Sequence, residues 1–268
     1  MSRGPSPWTA DVEAVGLLGP GLAGWASGRE ILRGSAPFIP QPTIIPVPAT
    51  LPAAERRRAV RVVNLAMAVG HEATVGIAGD ITRLPTVFAS SVADTTTCDE
   101  LLRTLAADDR QVSPTRFHNS VHNVAAGYWS IATGDTASYT MVCAYDGSFA
   151  AGLIEAMSLV ATSGSKAMLI AYDLDYPSPL REKRAIGEAF AVALLLRPPA
   201  SAVSEGRLTC SLDGEPADSM SPPELEKLRR SAPAARALPL LQIVASGRAG
   251  IARLEYLDNL RLVASVTP

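Results

Sequence analysis

The best candidate for nucleophilic chemistry in this chain is the segment SYTMVCAYDGSFAAG, at residues 138–152. Its apolar first half predicts a strand, and the small residues after Asp146 and Gly147 predict a tight turn into a helix. Cys143 stands just before the turn and Ser148 just after it. A thiolate at a helix amino terminus is an activated nucleophile, whereas a serine needs an adjacent base. The segment therefore indicates either a covalent acyl-transfer site or a turn that only looks like one.

Three histidines could activate such a nucleophile, and all three precede the turn. His118 and His122 are four residues apart and are predicted to share one face of a helix, whereas His71 ends an earlier helix. A pair at this spacing can bind a metal, but no acidic or cysteine ligand stands nearby in the sequence to complete a site. We therefore predict no metal site and no cofactor, and assign the pair to packing or interface hydrogen bonds.

Composition excludes several functional classes. The 268 residues are 47% hydrophobic with a formal net charge of -2, so the chain can bury a full core and lacks the basic character of a nucleic-acid-binding protein. The longest uninterrupted apolar run, residues 189–196, is far shorter than the ~18 residues of a membrane span. The three cysteines are widely separated, which indicates a reducing compartment, and the first residues lack a signal-peptide core. We expect a cytoplasmic protein.

Strands and helices are predicted to alternate along most of the chain. Strands are expected at residues 12–18, 86–91, 139–144, 166–173 and 189–196, and long helices at 51–73, 113–134 and 146–163. After residue 198 the composition shifts to Pro, Ser, Ala and charged residues, with a helix expected at 221–230 and a closing hairpin around Asp258 and Asn259. The glycine pattern GPGLAG at 19–24 is interpreted as a turn, because no acidic residue ends a second strand about 20 residues later. This order predicts a layered α/β domain.

The order of these blocks resembles the amino-terminal half of the β-ketoacyl synthases. The blocks are LPAAERRRAV, VFASS, SPTRFHNSVHNVAAGYWSIATG, SYTMVCAYDGSFAAGLIEA, KAMLIAYD and EAFAVALLLRP, after the glycine turn. The sequence FHNSVHNVAAGYWSIATG is similar to that of short chain-length-factor-like proteins of aryl polyene and related pigment pathways. The resemblance implies an α/β, thiolase-like layered α-β-α fold with a synthase-like domain at residues 1–198. Residues 199–268 are too few for a second βαβαβ repeat, so we expect a truncated second half of linker, helices and hairpin.

In that family the nucleophilic cysteine stands at the elbow, at the amino end of a buried helix. Aligning the helix on its small residues places Asp146 at or within one residue of that position, followed by Gly147 and Ser148. Cys143 then falls about three residues early and is expected to be an inert, buried side chain. The two imidazoles that the family uses for decarboxylative condensation come from the carboxy-terminal half, where this chain has no histidine. The resemblance therefore implies a subunit without catalytic residues.

The resemblance also implies a protein partner. In the family, the strand before the elbow pairs antiparallel with its counterpart across a twofold or pseudo-twofold axis, so residues 139–144 are expected to form an edge strand. The partner would be a catalytic ketosynthase subunit in a heterodimer, with a homodimer as the alternative, and an acyl carrier protein would be reached through that partner. The helix at 117–131 would lie beside the same interface, and its residues Phe117, Val121 and Val124 could border the partner's acyl tunnel in polyene, polyketide or fatty-acid-like biosynthesis. The predicted interface and tunnel residues are Phe117, His118, Val121, His122, Val124, Tyr139, Met141, Tyr145 and Phe149.

Two alternatives stay open at the level of sequence. The first is an acyltransferase or priming ketosynthase that uses Cys143 or Ser148 as its nucleophile. The second is a stand-alone scaffold that binds acyl chains without any synthase. Whether the chain reacts covalently with an acyl thioester separates the first alternative from the others, and its oligomeric state separates the second.

Overall fold

The computed structural model describes residues 8–77, 79–201 and 205–268. In these residues eight strands form one sheet, and helices cover both of its faces. The strands are β1 (Trp8–Leu18), β2 (Thr86–Ala89), β3 (Tyr139–Val142), β4 (Ala167–Asp173), β5 (Phe190–Arg197), β6 (Gly206–Asp213), β7 (Gly250–Leu257) and β8 (Leu260–Thr267). The helices are α1 (Trp25–Leu32), α2 (Ala53–Arg58), α3 (Arg61–Thr74), α4 (Thr95–Ala106), α5 (Pro114–Asn119), α6 (Val124–Thr133), α7 (Ser148–Ser163), α8 (Leu180–Lys183), α9 (Pro223–Ser231) and α10 (Leu238–Ser246).

The sheet has the strand order β3-β2-β4-β5-β1-β6-β8-β7. β2 is parallel to both β3 and β4, and the other pairings are antiparallel. The first five strands form a mixed sheet with helical crossovers, and the last three extend it beyond β1 as antiparallel strands. The predicted domain boundary at 198/199 falls between β5 and β6. The residues before it and the residues after it both contribute strands to this one sheet, so the division into two domains stays a prediction.

The central strands are buried on both faces, which explains their continuous apolar sequences. On β4, Leu169 and Ala171 face one core, and Met168 and Ile170 face the other, because side chains alternate along a strand. Helices α7 and α10 cover the first face, and α3 and α6 cover the second. The chain therefore has the predicted thiolase-like layered α-β-α fold with a short second half. None of the described helices combines the length and hydropathy needed to cross a bilayer.

The glycine turn after β1 is closed by a carboxylate from α3. Glu72 accepts hydrogen bonds from the N–H of Leu17 at 2.8 Å and from the N–H of Trp25, at the start of α1, at 2.5 Å. Gly24 has a φ of +128°, and a Cβ there would lie 3.0 Å from Glu72 Oε1, so both the backbone and the close approach require glycine. The interpretation of residues 19–24 as a structural turn agrees with this arrangement.

The helix predicted at 51–73 is interrupted between α2 and α3. Ala59 and Val60 both adopt extended backbone conformations there. α2 buries none of its residues, so no packing holds it in line with α3. The apolar periodicity that predicted one long helix belongs to α3.

The helix predicted at 113–134 is also broken, at residues 120–123 between α5 and α6. Ser120 donates its hydroxyl to the carbonyl of Phe117, and Asn119 donates its side-chain amide to the carbonyl of Arg58. Such side chains compete with the helical backbone for hydrogen bonds. The prediction that His118 and His122 share a helical face is therefore wrong, because His118 lies in α5 and His122 lies in the break.

Replacing Glu72 by Gln is expected to lower the free energy of unfolding by about 1–3 kcal/mol. An amide nitrogen cannot accept a hydrogen bond, so one of the two backbone N–H groups would be left without its partner. Urea denaturation followed by circular dichroism measures the change. The control is Glu30→Gln on α1, which removes an exposed pair with Arg33 and should change stability by less than about 1 kcal/mol. Equal effects of the two substitutions would contradict the role assigned to Glu72.

Candidate functional site

The elbow between β3 and α7 is built around a strained tyrosine. A single 3₁₀ turn at Tyr145–Gly147 connects the end of β3 to α7. Tyr145 has a φ of 52° and is the one non-glycine residue with positive φ in the part of the chain that the structure describes. This conformation costs about 1–3 kcal/mol and persists only where the surroundings enforce it. The apex of the elbow is therefore Tyr145, one residue before Asp146, and its side chain is 62% exposed.

Charged side chains hold this elbow in place. The guanidinium of Arg184 lies over the Tyr145 ring, with Cζ 3.6 Å from the ring centroid, and donates to Asp146 Oδ1 at 2.6 Å. Arg236 reaches the other oxygen of Asp146 at 3.6 Å and pairs with Glu255 of β7 at 2.6 Å. Burial alone would lower the pKa of Arg184, but the hydrogen bond to Asp146 raises it above its usual value. Asp146 thus joins the elbow to the segment after β4 and to β7.

The ion pairs continue from β7 to α9. Arg229 is buried, contacts Glu255 at 3.3 Å, and donates two hydrogen bonds of 2.7 Å to Glu226. The hydrogen bond from Arg229 lowers the pKa of Glu226 to about 2 against the opposing effect of burial. A continuous chain of alternating charges therefore runs from α9 to the elbow.

β7 also covers the amino end of α7 directly. A Cβ on Gly147 would lie 2.2 Å from the carbonyl oxygen of Tyr256, so the two backbones are in contact. A cleft of about 680 Å³ remains between the elbow and the β7–β8 hairpin. Its lining includes the charged residues Asp146, Glu255 and Asp258. Tyr256 and Leu257 add apolar surface and Arg261 adds a positive charge, so the lining of this cleft is mixed.

The two candidate nucleophiles have different environments. Cys143 is exposed, and its thiol donates to the carbonyl of Ser91 at 3.2 Å. The expectation that Cys143 is buried is wrong, because β3 ends at Val142 and leaves the thiol beyond the sheet. Ser148 is buried, donates to the carbonyl of Tyr145 at 2.7 Å and accepts from the N–H of Ala144 at 3.0 Å. The Ser148 hydroxyl therefore braces the turn and is not presented to a substrate.

The three histidines make no hydrogen bond to residues 144–148 in the structure as described. His71 lies 2.8 Å from the Thr50 hydroxyl and packs on Trp129, and burial lowers its pKa. His118 is exposed. Burial lowers the pKa of His122 against the raising effect of its hydrogen bond to the Ser90 backbone. His122 and Cys143 thus contact neighbouring residues of one segment, 90–91, and the described residues hold no cluster of three or more metal-ligating side chains.

The other predicted interface and tunnel residues fall into an exposed group and a buried group. The exposed ones lie in or near α5, β3 and the elbow, and the buried ones belong to the two cores. The exposed residues are Phe117, His118, Val121, Tyr139 and Tyr145; Met141 and His122 are half-buried; Val124 and Phe149 are buried. Val124 packs in the core below α6 and Phe149 in the core below α7, so these two face inward.

The edge formed by β3 is open, as predicted from the sequence. β3 is the last strand of the sheet, and among the described residues it pairs with β2 alone. The carbonyls of Ser138 and Val142 accept hydrogen bonds from the β2 side. Because peptide groups alternate in direction along a strand, the N–H and C=O groups of Tyr139 and Met141 face the open side.

The opposite edge, formed by β7, is blocked. The N–H of Arg253 donates to Asp218 Oδ2 at 2.8 Å, and its carbonyl accepts from the N–H of Asp218 at 2.9 Å. The Arg253 side chain pairs with Asp213 at 2.9 Å. A loop that occupies the outward groups of an edge strand prevents another strand from adding there. The sheet therefore has one protected edge and one available edge.

A buried carboxylate lies under the elbow, at the end of β4. Asp173 accepts hydrogen bonds from the N–H and hydroxyl of Ser91, at 3.0 and 2.6 Å, and from the N–H of Ala234 at 2.8 Å. Burial raises the pKa of Asp173 to about 6, although these hydrogen bonds and Arg184 act in the opposite direction. Asp173 thereby joins the segment that contacts Cys143 to the 3₁₀ turn that carries Arg236.

An open-edged mixed sheet with a strand–elbow–helix unit is the architecture of a synthase-like half-domain. The chain belongs to the family of the β-ketoacyl synthase N-terminal domain, whose sequence profile matches residues 33–255. A search of curated proteins found no significant match.

Three solved structures share the fold. A ketosynthase, ApeO, in complex with its chain length factor, ApeC, from Xenorhabdus doucetiae matches with a TM-score of 0.73 and 22% identity, over 96% of this chain and 99% of the matched chain. The ishigamide ketosynthase/chain length factor matches with a TM-score of 0.71 and 12% identity, over 96% and 99%. AntDE:AntF, a type II polyketide synthase acyl-carrier protein in complex with its ketosynthase, matches with a TM-score of 0.72 and 11% identity. The alignment covers 97% of this chain and 99% of the matched chain.

Asp173 is expected to make stability fall as pH rises from about 4 to about 6. Its folded pKa of about 6 exceeds the ordinary value of 3.8, so in this window the folded chain keeps a proton that the unfolded chain has released. The residue's contribution to the free energy of unfolding should drop by about 3 kcal/mol across the window.

Urea denaturation of the protein and of Asp173→Asn at pH values from 4 to 7 tests this. The difference between the two profiles should slope across the window, and a flat difference would contradict the assignment. Ser91→Ala is the companion variant. It removes a hydrogen bond to the ionised carboxylate, so the sloping region should move to higher pH.

Proposed function

We propose that the chain is a non-catalytic, chain-length-factor-like subunit that pairs with an active ketosynthase and shapes its acyl tunnel. The elbow carries this proposal. Where the family has a nucleophilic cysteine, this chain has a tyrosine under Arg184 and an aspartate in two ion pairs. Acyl transfer at this position needs a nucleophile and imidazoles, and the sequence has no histidine after the elbow. The pathway would make a polyene, a polyketide or a fatty-acid-like chain.

The lengths of the matched chains support a partner-subunit role. The alignments with the two ketosynthase–chain length factor complexes cover 96% of this chain and 99% of the matched chain. The matched chains are therefore about as long as this one, and they too lack room for a complete second βαβαβ half. The match of fold over the whole length favours the short subunit of such a complex.

The surface around β3 supports the same role. Phe117 of α5 is 65% exposed, Val121 is exposed in the connection before α6, and Tyr139 is exposed at the start of the open strand. A partner strand that adds to β3 would cover these side chains. Phe117 and Val121 would then border the partner's tunnel. Each methylene of the growing acyl chain that these side chains exclude from apolar surroundings would lose about 0.8 kcal/mol of favourable burial free energy. A bulky wall of this kind is enough to limit chain length.

Co-expression of the tagged chain with each full-length β-ketoacyl synthase of the source genome tests the pairing. We expect one synthase to co-purify in a 1:1 complex on size-exclusion chromatography with light scattering. Met141→Pro should abolish the complex, because it removes an outward N–H of β3 and leaves the bonds to β2 intact. Ile251→Pro, at an outward position of the blocked β7 edge, is the control and should retain it.

Two other results would count against the proposal. A stable monomer that binds no synthase would favour the stand-alone acyl-binding scaffold. A homodimer that excludes every synthase would show that the β3 edge serves a second copy of this chain.

A second function, acyl transfer through Cys143, is favoured by one observation. The thiol is exposed and lies against the same segment, residues 90–91, that His122 contacts. The thiolate would attack the carbonyl carbon of an acyl-carrier thioester and form a new thioester. The bond to the carrier's pantetheine sulfur would break, and that thiol would take up the proton.

Intact mass measurement after incubation with an acyl-carrier thioester separates the two functions. The non-catalytic subunit is expected to gain no acyl mass, because its elbow offers no activated nucleophile. An adduct of one acyl group that disappears in Cys143→Ala and persists in the control Cys98→Ala would overturn the proposal. An adduct retained in both variants would also overturn the proposal, and it would indicate acylation of a residue other than these two cysteines, with Ser148 as the candidate.

A further inference from the structure

The exposed face of α6 carries a glycine that the fold of this chain does not explain. Asn123, Gly127 and Ile131 follow one another at four-residue spacing and are exposed, while residues 124–126 and 128–129 are buried. A Cβ on Gly127 would meet no atom within 4 Å, and its φ lies outside the left-handed region. Glycine weakens a helix relative to alanine. Neither a turn nor a packing contact within the described chain accounts for that loss.

This face of α6 is continuous with the open edge of the sheet. Asn123, at the start of α6, donates its side-chain amide to the Tyr139 hydroxyl at 3.1 Å, and Tyr139 is the first residue of β3. Val121 is exposed at the near end of the face, and Ile131 is 51% exposed at its far end. The face therefore has a bare backbone at Gly127 and an exposed branched side chain, Ile131, one turn further along, and the exposed Val121 lies in the connection just before α6.

If a partner adds a strand to β3, the geometry of that pairing determines which element of the partner lies against the exposed face of α6. An antiparallel pair of edge strands is related by a local twofold axis that is perpendicular to the sheet. Elements that cover the same face of the two half-sheets therefore meet across that axis. α6 covers the face on which Tyr139 and Phe88 are in contact, next to the edge, so it would be brought against a helix of the added subunit.

We propose that a helix of the ketosynthase partner crosses α6 at Gly127, with the two backbones in close approach. This inference rests on the proposed function, because the partner is the subunit that adds its strand to β3. Helix axes usually lie 8–10 Å apart, according to the side chains at the contact, and a glycine at the crossing point permits the short end of this range. Ile131 packs beside the crossing, and the missing side chain at Gly127 permits the contact.

Gly127→Ala tests the proposal because it should act in opposite directions on two measurements. In the isolated chain it is expected to raise Tm by about 1–3 °C, since alanine favours the helix and meets open space. In the complex it is expected to weaken the Kd for the ketosynthase at least tenfold, measured by titration calorimetry. Gly127→Leu should abolish co-purification while leaving the isolated chain folded. Ala26→Leu, at an exposed position of α1, is the bulky control and should do neither.

The outcomes separate this inference from the proposed function. If the Gly127 variants bind the ketosynthase as tightly as the unaltered chain while Met141→Pro does not bind, the α6 contact is wrong and the β3 pairing stands. If the unaltered chain binds no synthase, both are overturned. If Gly127→Leu instead dissociates a homodimer of this chain, the helix that crosses α6 belongs to a second copy, and the ketosynthase contact is rejected.

Discussion

The enclosure of α7 is the constraint on which the rest of this structure depends. Strands β1, β2, β4 and β7 all pack against this helix, so the sheet curls around it. The fit is tight along its length: a Cβ on Gly152 would lie 2.6 Å from the Ala89 side chain, and one on Gly147 would lie 2.2 Å from the carbonyl oxygen of Tyr256. This close approach fixes the elbow and brings the short carboxy-terminal segment across the amino end of the helix. The strained backbone of Tyr145 is held by the same packing.

β7 covers the elbow, so the amino end of α7 is enclosed by another part of the chain. A catalytic elbow keeps the helix amino terminus free to stabilise developing negative charge on a substrate. Here Asp146 lies in the turn just before the helix, and its carboxylate is shared between Arg184 and Arg236. Such partly buried pairs are stable as a set, since removal of one partner leaves another charge without compensation. A cysteine in place of Tyr145 would therefore face a guanidinium and ion pairs, with no imidazole hydrogen-bonded to the elbow among the described residues.

The fold could be predicted from sequence because its signals are local, whereas the site depends on contacts between distant segments. Apolar runs and small residues identified β1–β5, α7 and the closing hairpin. β6 was missed because only one of its faces is buried, at Leu208 and Cys210, within a region of mixed composition. Cys143 was misplaced because its apolar neighbours extend the strand pattern beyond Val142, where β3 ends. The two ion pairs of Asp146 join it to residues 38 and 90 positions further along the chain, and no periodicity records such contacts.

The two edges of the sheet differ in what they offer to the partner strand that we propose. Asp218 occupies the outward N–H and C=O of Arg253 in the middle of β7, whereas the outward groups of β3 have no partner among the described residues. Yet β3 has only four residues, and its two outward-facing ones offer about four hydrogen bonds worth about 1 kcal/mol each. Association itself costs about 4–15 kcal/mol. The strand alone would therefore set the register of the proposed partner without holding it, and most of the binding energy would come from the apolar side chains that α5, α6 and their connection expose.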